Sequence, residues 1–163
     1  MILGMTPYTF VHTLISLIAL AAGFVVMFGL FRSMPRGAWT ALFFVTAIAT
    51  SVTGFGFASA SFGASHWIGV ISLIVLAVAV LARYAFHYAG RWRALYAIGT
   101  MLAFYFLVFV TVAQLFQKVP ALAALAPTLT EPPFAYAQAG VLLVFIALTV
   151  LAVVRFRGAT VSA

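Results

Sequence analysis

Five long apolar segments, separated by short joints rich in Gly, Pro and Ser, dominate the pattern of this chain. A helix needs about 20 apolar residues to cross the hydrocarbon core of a bilayer, and each segment is long enough. The pattern predicts an all-α fold, in which residues 1–163 form one domain, an integral membrane bundle of five transmembrane helices. The predicted spans are Tyr8–Phe31, Ala38–Ala60, His66–Phe86, Ala94–Gln117 and Phe134–Phe156.

Composition supports a membrane protein and argues against other classes. Of the 163 residues, 67% are hydrophobic and only 6% are charged, whereas a soluble domain carries about 25% charged residues. The basic residues are few and separated by apolar runs, so no dense basic face for nucleic acid is expected. The chain has no cysteine, which excludes disulfides and thiolate metal sites.

The basic residues alternate in a way that predicts the orientation of the chain. Cytoplasmic loops of membrane proteins are enriched in Lys and Arg. Here basic residues follow the first, third and fifth predicted spans, and the N-terminal stretch MILGMTPY has none. We therefore expect the N-terminus outside and the C-terminus in the cytoplasm, with these residues on the cytoplasmic side: Arg32, Arg36, Arg83, Arg91, Arg93, Arg155 and Arg157.

The third joint, LARYAFHYAGRWR at 81–93, is the most basic of these stretches. We expect Arg83 to extend from the last turn of the third helix to the membrane surface. The neighbouring aromatic residues are predicted to form part of an interfacial belt: Tyr84, Tyr88, Trp92 and Tyr96. The first span lacks a basic leader and a small-residue cleavage site, so we expect it to be retained as a membrane helix.

Polar side chains on three predicted helices fall at one depth. His12, Gln114 and Gln138 each lie four residues inside a predicted outer boundary, which is roughly 6 Å at 1.5 Å per residue. His66 lies at the boundary itself, and the loop 119–133 carries the only acid, Glu131. Because unsatisfied polar groups in lipid are costly, we expect these side chains to converge inside the bundle. They either satisfy one another or line one ligand cavity, with the loop as either a lid or a simple connection.

Small and hydroxylated residues also recur at helical spacing on the first, second and fourth spans. Examples are Ser16 on the first, Thr50 and Thr53 on the second, and Thr111 on the fourth. Such stripes allow membrane helices to pack closely. We interpret them as packing surfaces rather than as parts of a site.

The chemistry present favours binding over catalysis. There are no paired carboxylates, no Ser–His–Asp set and no phosphate-binding glycine loop, and the three histidines and one glutamate lack local metal-ligand spacing. The first hypothesis is a non-catalytic accessory subunit of a larger membrane complex or homo-oligomer, or a binder of a small quinone-like apolar ligand. The alternative is a haem b electron-transfer subunit with His12 and His66 as ligands.

Two phrases carry a resemblance to a known group of proteins. WTALFFVTAIATSVTGFGF at 39–57 and QLFQKVPALAALAPTLTEPPF at 114–134 resemble a family of small, uncharacterised multi-span proteins of the bacterial inner membrane. The resemblance implies that location, with the lipid bilayer as partner. It implies no activity and no site residues.

Overall fold

The computed structural model describes residues 5–34, 36–57 and 63–157, and within these ranges the chain is all-helical. Five of its six helices are long and apolar enough to cross a membrane. In chain order the helices are α1 (Pro7–Phe31), α2 (Gly37–Gly54), α3 (Ala64–Tyr84), α4 (Trp92–Lys118), α5 (Pro120–Leu125) and α6 (Pro132–Arg155).

The helix ends agree with the predicted spans except at α2. This helix stops at Gly54, where short-range bonds from Phe55 N–H to the Val52 carbonyl and from Gly56 N–H to the Thr53 carbonyl close the last turn. The prediction of helix up to residue 57 is therefore wrong, and positions 58–60 of that prediction lie outside the described residues. Proline opens α1, α5 and α6, as expected of a residue that needs no N–H in a first helical turn.

Helices α1 to α4 pack in sequence around a ring, because α1 contacts α2, α2 contacts α3, α3 contacts α4, and α4 returns to α1. Helix α6 packs against α4 and α1. The alternating chain direction brings the starts of α1 and α3 to the same end as the last residues of α2 and α4. We call this the open end, and the opposite end, where the seven arginines lie, the basic end.

The half of the bundle toward the basic end is tightly filled, and we call it the packed half. Gly23 gives the ring of Phe104 room against α1, since a side chain at residue 23 would collide with that ring. Phe104 also makes edge-on contacts with Phe43 and Phe145, at centroid distances of 6.3 and 5.4 Å. In a bilayer such packing contacts, rather than removal from water, hold helices together.

The turn between α3 and α4 corrects one expectation about the aromatic belt. Tyr96 is not at the interface but buried, with Tyr88 at 4.8 Å and Phe156 at 5.2 Å between ring centroids. Arg83 is half-buried beside them: its guanidinium donates to the Tyr88 hydroxyl and lies 5.3 Å from the ring centre of Tyr84. The third joint is thus a packed aromatic–arginine cluster as well as a basic turn.

Candidate ligand cavity

A cavity of about 510 Å³ opens between the ends of α1, α2, α3 and α4 at the open end. His12 on α1, His66 on α3 and Gln114 on α4 all line it, so the structure brings together three of the five residues selected from the sequence. Apolar side chains complete the wall, including Phe57, Phe106 and Leu107. This mixture of an apolar wall and a few directed polar groups is typical of small-molecule sites.

His12 is held in place by α2 and by an aromatic ring. Its Nδ1 lies 2.7 Å from the Thr53 hydroxyl oxygen, and its ring meets Phe57 edge-on at a centroid distance of 4.9 Å. The Thr53 hydroxyl donates its single proton to the Ala49 carbonyl at 2.7 Å. Thr53 therefore accepts from His12 Nδ1–H, which leaves Nε2 of the neutral ring as a hydrogen-bond acceptor.

Three hydroxyl groups of the cavity wall, like that of Thr53, donate to backbone carbonyl groups of their own helices. Ser16 donates to the His12 carbonyl and Thr111 to the Leu107 carbonyl, both at 2.7 Å. Ser51 donates to the Ala47 carbonyl at 3.0 Å. Because each of these three hydroxyl groups has one proton and donates it to its own helix, all three offer lone pairs to a ligand. The Thr50 hydroxyl of the wall is buried without a hydrogen-bond partner among the described residues, so it can donate to a ligand.

His66 stands where α3 begins, at the predicted rim. Its Nδ1 accepts a hydrogen bond from the Gly63 backbone N–H at 3.2 Å, and its ring lies 5.7 Å from that of Phe55. An accepting Nδ1 puts the proton of the neutral ring on Nε2. The two histidines of the cavity thus carry opposite tautomers.

Gln114 and Lys118 add hydrogen-bond donors to the cavity, one turn apart on exposed positions near the end of α4. Lys118 is the only charged residue of the wall, and it was not selected from the sequence. The helical spacing that places Thr111, Gln114 and Lys118 on one face was visible in the sequence. On that face, Gln114 was selected as a ligand residue, whereas the hydroxylated residues were interpreted as packing.

Gln138 does not join this cavity, which corrects the prediction of one shared polar layer. Its side chain is buried on α6, and its Nε2 donates to the Phe109 carbonyl of α4 at 3.0 Å. Its Oε1 is buried without a hydrogen-bond partner among the described residues. Gln138 therefore ties α6 to α4 and does not line the cavity.

Glu131 also lies apart from the cavity wall. It precedes α6 and accepts hydrogen bonds from the Thr128 hydroxyl at 2.8 Å and from the Thr130 backbone N–H at 3.1 Å. Desolvation opposes these bonds, but they prevail and hold the pKa of Glu131 below its usual value. The carboxylate organises the turn before α6. The short helix α5 packs on α4 and supplies no residue to the cavity wall, as expected of a connection rather than a lid.

Among the described residues, no group of three His, Cys, Asp or Glu side chains comes together as a metal cluster. No protein-family model, curated protein or solved structure matches this chain. The cavity therefore has to be interpreted from its own chemistry.

Proposed function

We propose that this protein is a multi-pass protein of the bacterial inner membrane, with its N-terminus outside and its C-terminus in the cytoplasm. Five apolar helices of membrane-spanning length support insertion. The structure gathers Arg32, Arg83 and Arg155 with the other arginines at one end, and the positive-inside rule assigns that end to the cytoplasm. The cavity then opens toward the outer surface.

The orientation is tested by a phosphatase fused after Ala163 that is active only in the periplasm. It should be silent, whereas a fluorescent protein that folds in the cytoplasm should be bright at the same position. Strong phosphatase activity with no fluorescence would contradict the proposed orientation, and the cavity would then open toward the cytoplasm.

We further propose that the cavity binds a small neutral amphiphile with a quinone-like head, as a carrier or accessory binding subunit rather than as an enzyme. The strongest support for this proposal is the cavity itself, which measures about 510 Å³ and has a wall that is apolar apart from short polar side chains. Lys118 is the only charge, and it lies on the exposed last turn of α4. The interior offers no countercharge to an ion, so a neutral head group suits it best.

The hydrogen-bond donors and acceptors of the wall indicate which redox form of the head group should bind better. His12 Nε2 and the hydroxyl oxygens of Ser16 and Thr111 accept, while Gln114 and Lys118 donate near the mouth. The Thr50 hydroxyl adds one inner donor, so acceptors outnumber donors among these inner groups. A quinol can donate from its hydroxyl groups to the inner acceptors, whereas an oxidised quinone can only accept. We therefore expect the reduced form to bind more tightly than the oxidised form.

The test is thermal unfolding of the purified protein with a ubiquinol that carries one isoprene unit. A ligand at a hundred times its Kd stabilises the folded state by about 2.7 kcal/mol. The quinol should stabilise the unaltered protein, and Ser16→Phe, which fills the cavity, should remove the effect. Thr46→Val serves as the matched control, because Thr46 is buried on α2 and does not line the cavity.

Two results would contradict this proposal. One is no stabilisation by either the quinol or the quinone. The other is equal stabilisation of the Ser16→Phe variant, provided that this variant keeps its helical content, because the ligand would then lie elsewhere.

A haem b subunit is the second candidate, favoured by one observation: His12 and His66 line the same cavity. The hydrogen bonds of only one of these two histidines suit a haem ligand. His12 donates from Nδ1 to Thr53, as metal-bound histidines usually do to an oxygen acceptor. His66 Nδ1 instead accepts from Gly63, which protonates the Nε2 that iron would need. A Soret band from protein produced with excess haem, lost in both His12→Ala and His66→Ala, would establish this candidate.

A further inference from the structure

A second, shallower groove lies at the basic end, far from the cavity. It measures about 300 Å³ and is lined by Val25, Phe28, Arg32 and Arg36, where α1 ends and α2 begins. Both arginines are exposed, and the Phe28 side chain is 56% exposed. The groove thus has a cationic rim above an apolar floor.

The two arginines at this rim have no carboxylate side chain to pair with. Glu131, the only acid of the chain, is held at the open end by Thr128 and Thr130. A guanidinium group without an acidic neighbour is free to bind a phosphate with two parallel hydrogen bonds. An anion that neutralises the two guanidinium groups at the rim would therefore have to come from another molecule.

The local backbone adds further positive potential. The N-cap of α2, Arg36, makes no side-chain capping bond, so the first N–H groups of this helix contribute their partial positive charge. Ser33, at the tip of the turn, accepts a hydrogen bond from the Arg157 backbone N–H at 2.8 Å. This bond brings the basic C-terminal stretch beside the rim.

The spacing on α1 matches the shape of a phospholipid. Phe28 precedes Arg32 by four residues, which is one helical turn or roughly 6 Å along the axis. Val25 lies a further turn below, followed on the same side by the exposed Ala21 and Leu17. A phosphate at the arginines would leave an acyl chain running along this apolar stripe.

We propose that this groove binds one anionic phospholipid from the leaflet at the basic end, with its phosphodiester between Arg32 and Arg36 and an acyl chain on Phe28 and Val25. Basic pockets between membrane helices are known sites for anionic lipid head groups. The inference depends on membrane insertion but not on the ligand of the cavity.

The test is native mass spectrometry of the full chain from nanodiscs of equal phosphatidylglycerol and phosphatidylcholine. The unaltered protein should retain one phosphatidylglycerol in preference to phosphatidylcholine. The double variant Arg32→Gln, Arg36→Gln should bind it about 25-fold more weakly, roughly fivefold for each lost arginine.

The double variant Arg91→Gln, Arg93→Gln is the matched control, because it removes the same charge from exposed positions at the same end, outside the groove. It should retain the lipid within about twofold of the unaltered protein, since screened distant charges contribute little. Phe28→Ser should weaken retention while leaving both arginines in place.

Equal loss in the two double variants would overturn the proposal, because binding would then reflect diffuse charge at the basic end. No preference for phosphatidylglycerol in the unaltered protein would overturn it as well. Since the variant residues are exposed, a monodisperse gel-filtration peak with unchanged helical content shows that folding is intact.

Discussion

The packed half and the open end of this bundle use the same four helices for opposite purposes. In the packed half, rings such as Phe43, Phe104 and Tyr96 fill the space between the helices completely. At the open end, short hydroxyl side chains such as Ser16 and Ser51 line a cavity. One region is filled by buried rings and the other contains a cavity, so the two regions should respond differently to substitution.

The largest effect is expected in the packed half. Phe104→Ala removes a fully buried ring that contacts Phe24, Phe43 and Phe145. Loss of these packing contacts should lower the free energy of unfolding by about 3 kcal/mol. Denaturant titration in micelles measures it. Ser16→Ala at the open end should change the same quantity far less, and similar losses for both would show that the two regions do not differ.

An intermediate effect on ligand binding is expected for a matched pair of glutamines, Gln114 in the cavity wall and Gln138 outside it. Gln114→Leu removes a donor from the cavity wall and should weaken quinol binding about tenfold, the value of one hydrogen bond. Gln138→Leu should leave binding within about twofold, because only its bond to the Phe109 carbonyl is lost. Calorimetric titration compares them, and equal weakening would mean that Gln138 reaches the ligand after all.

The smallest effect concerns the turn between α3 and α4. Tyr88→Phe removes the hydroxyl that accepts from Arg83 and should cost about 1 kcal/mol of stability at neutral pH. Burial is the main reason why the pKa of Tyr88 is raised, with Tyr96 adding to the shift and Arg83 opposing it. The protonated form is therefore favoured in the folded state.

The same shift gives a pH dependence. Stability from the neutral Tyr88 is fully present below the unfolded-state pKa of about 10 and is lost as the pH rises above it. Thermal melts between pH 8 and 11 should show a shallower decline for Tyr88→Phe than for the unaltered protein. Parallel declines would indicate that Tyr88 titrates normally.

Much of this architecture could be predicted from hydrophobic patterning alone, because an apolar run of about 20 residues is long enough to span a bilayer as a helix that satisfies its own backbone. The end of α2 could not, since residues 55–57 are as apolar as the span before them and local turn bonds stop the helix. Residue position along a span placed His12, Gln114 and Gln138 near the same end of the bundle, and all three lie toward the open end. Depth does not give the direction around the helix axis, and Gln138 faces α4 instead of the cavity.

The hydroxyl residues of the cavity illustrate a second limit of the sequence. Thr46 and Thr50 occupy the same stripe of α2, one turn apart, yet Thr46 is buried in helix packing and Thr50 lines the cavity. Their spacing is identical to that of a packing stripe. What separates them is their surroundings in the folded bundle, which only the three-dimensional arrangement reveals.

Thiol accessibility tests most directly the central claim that the open end holds a ligand cavity. The chain has no cysteine, so Ser16→Cys introduces a single reactive group into the wall, and Thr46→Cys a buried control. In membranes, a small water-soluble methanethiosulfonate should label the residue at 16 quickly and the residue at 46 slowly, and the quinol should protect position 16. Labelling of position 16 that is as slow as at 46, or that the quinol leaves unchanged, would contradict the account.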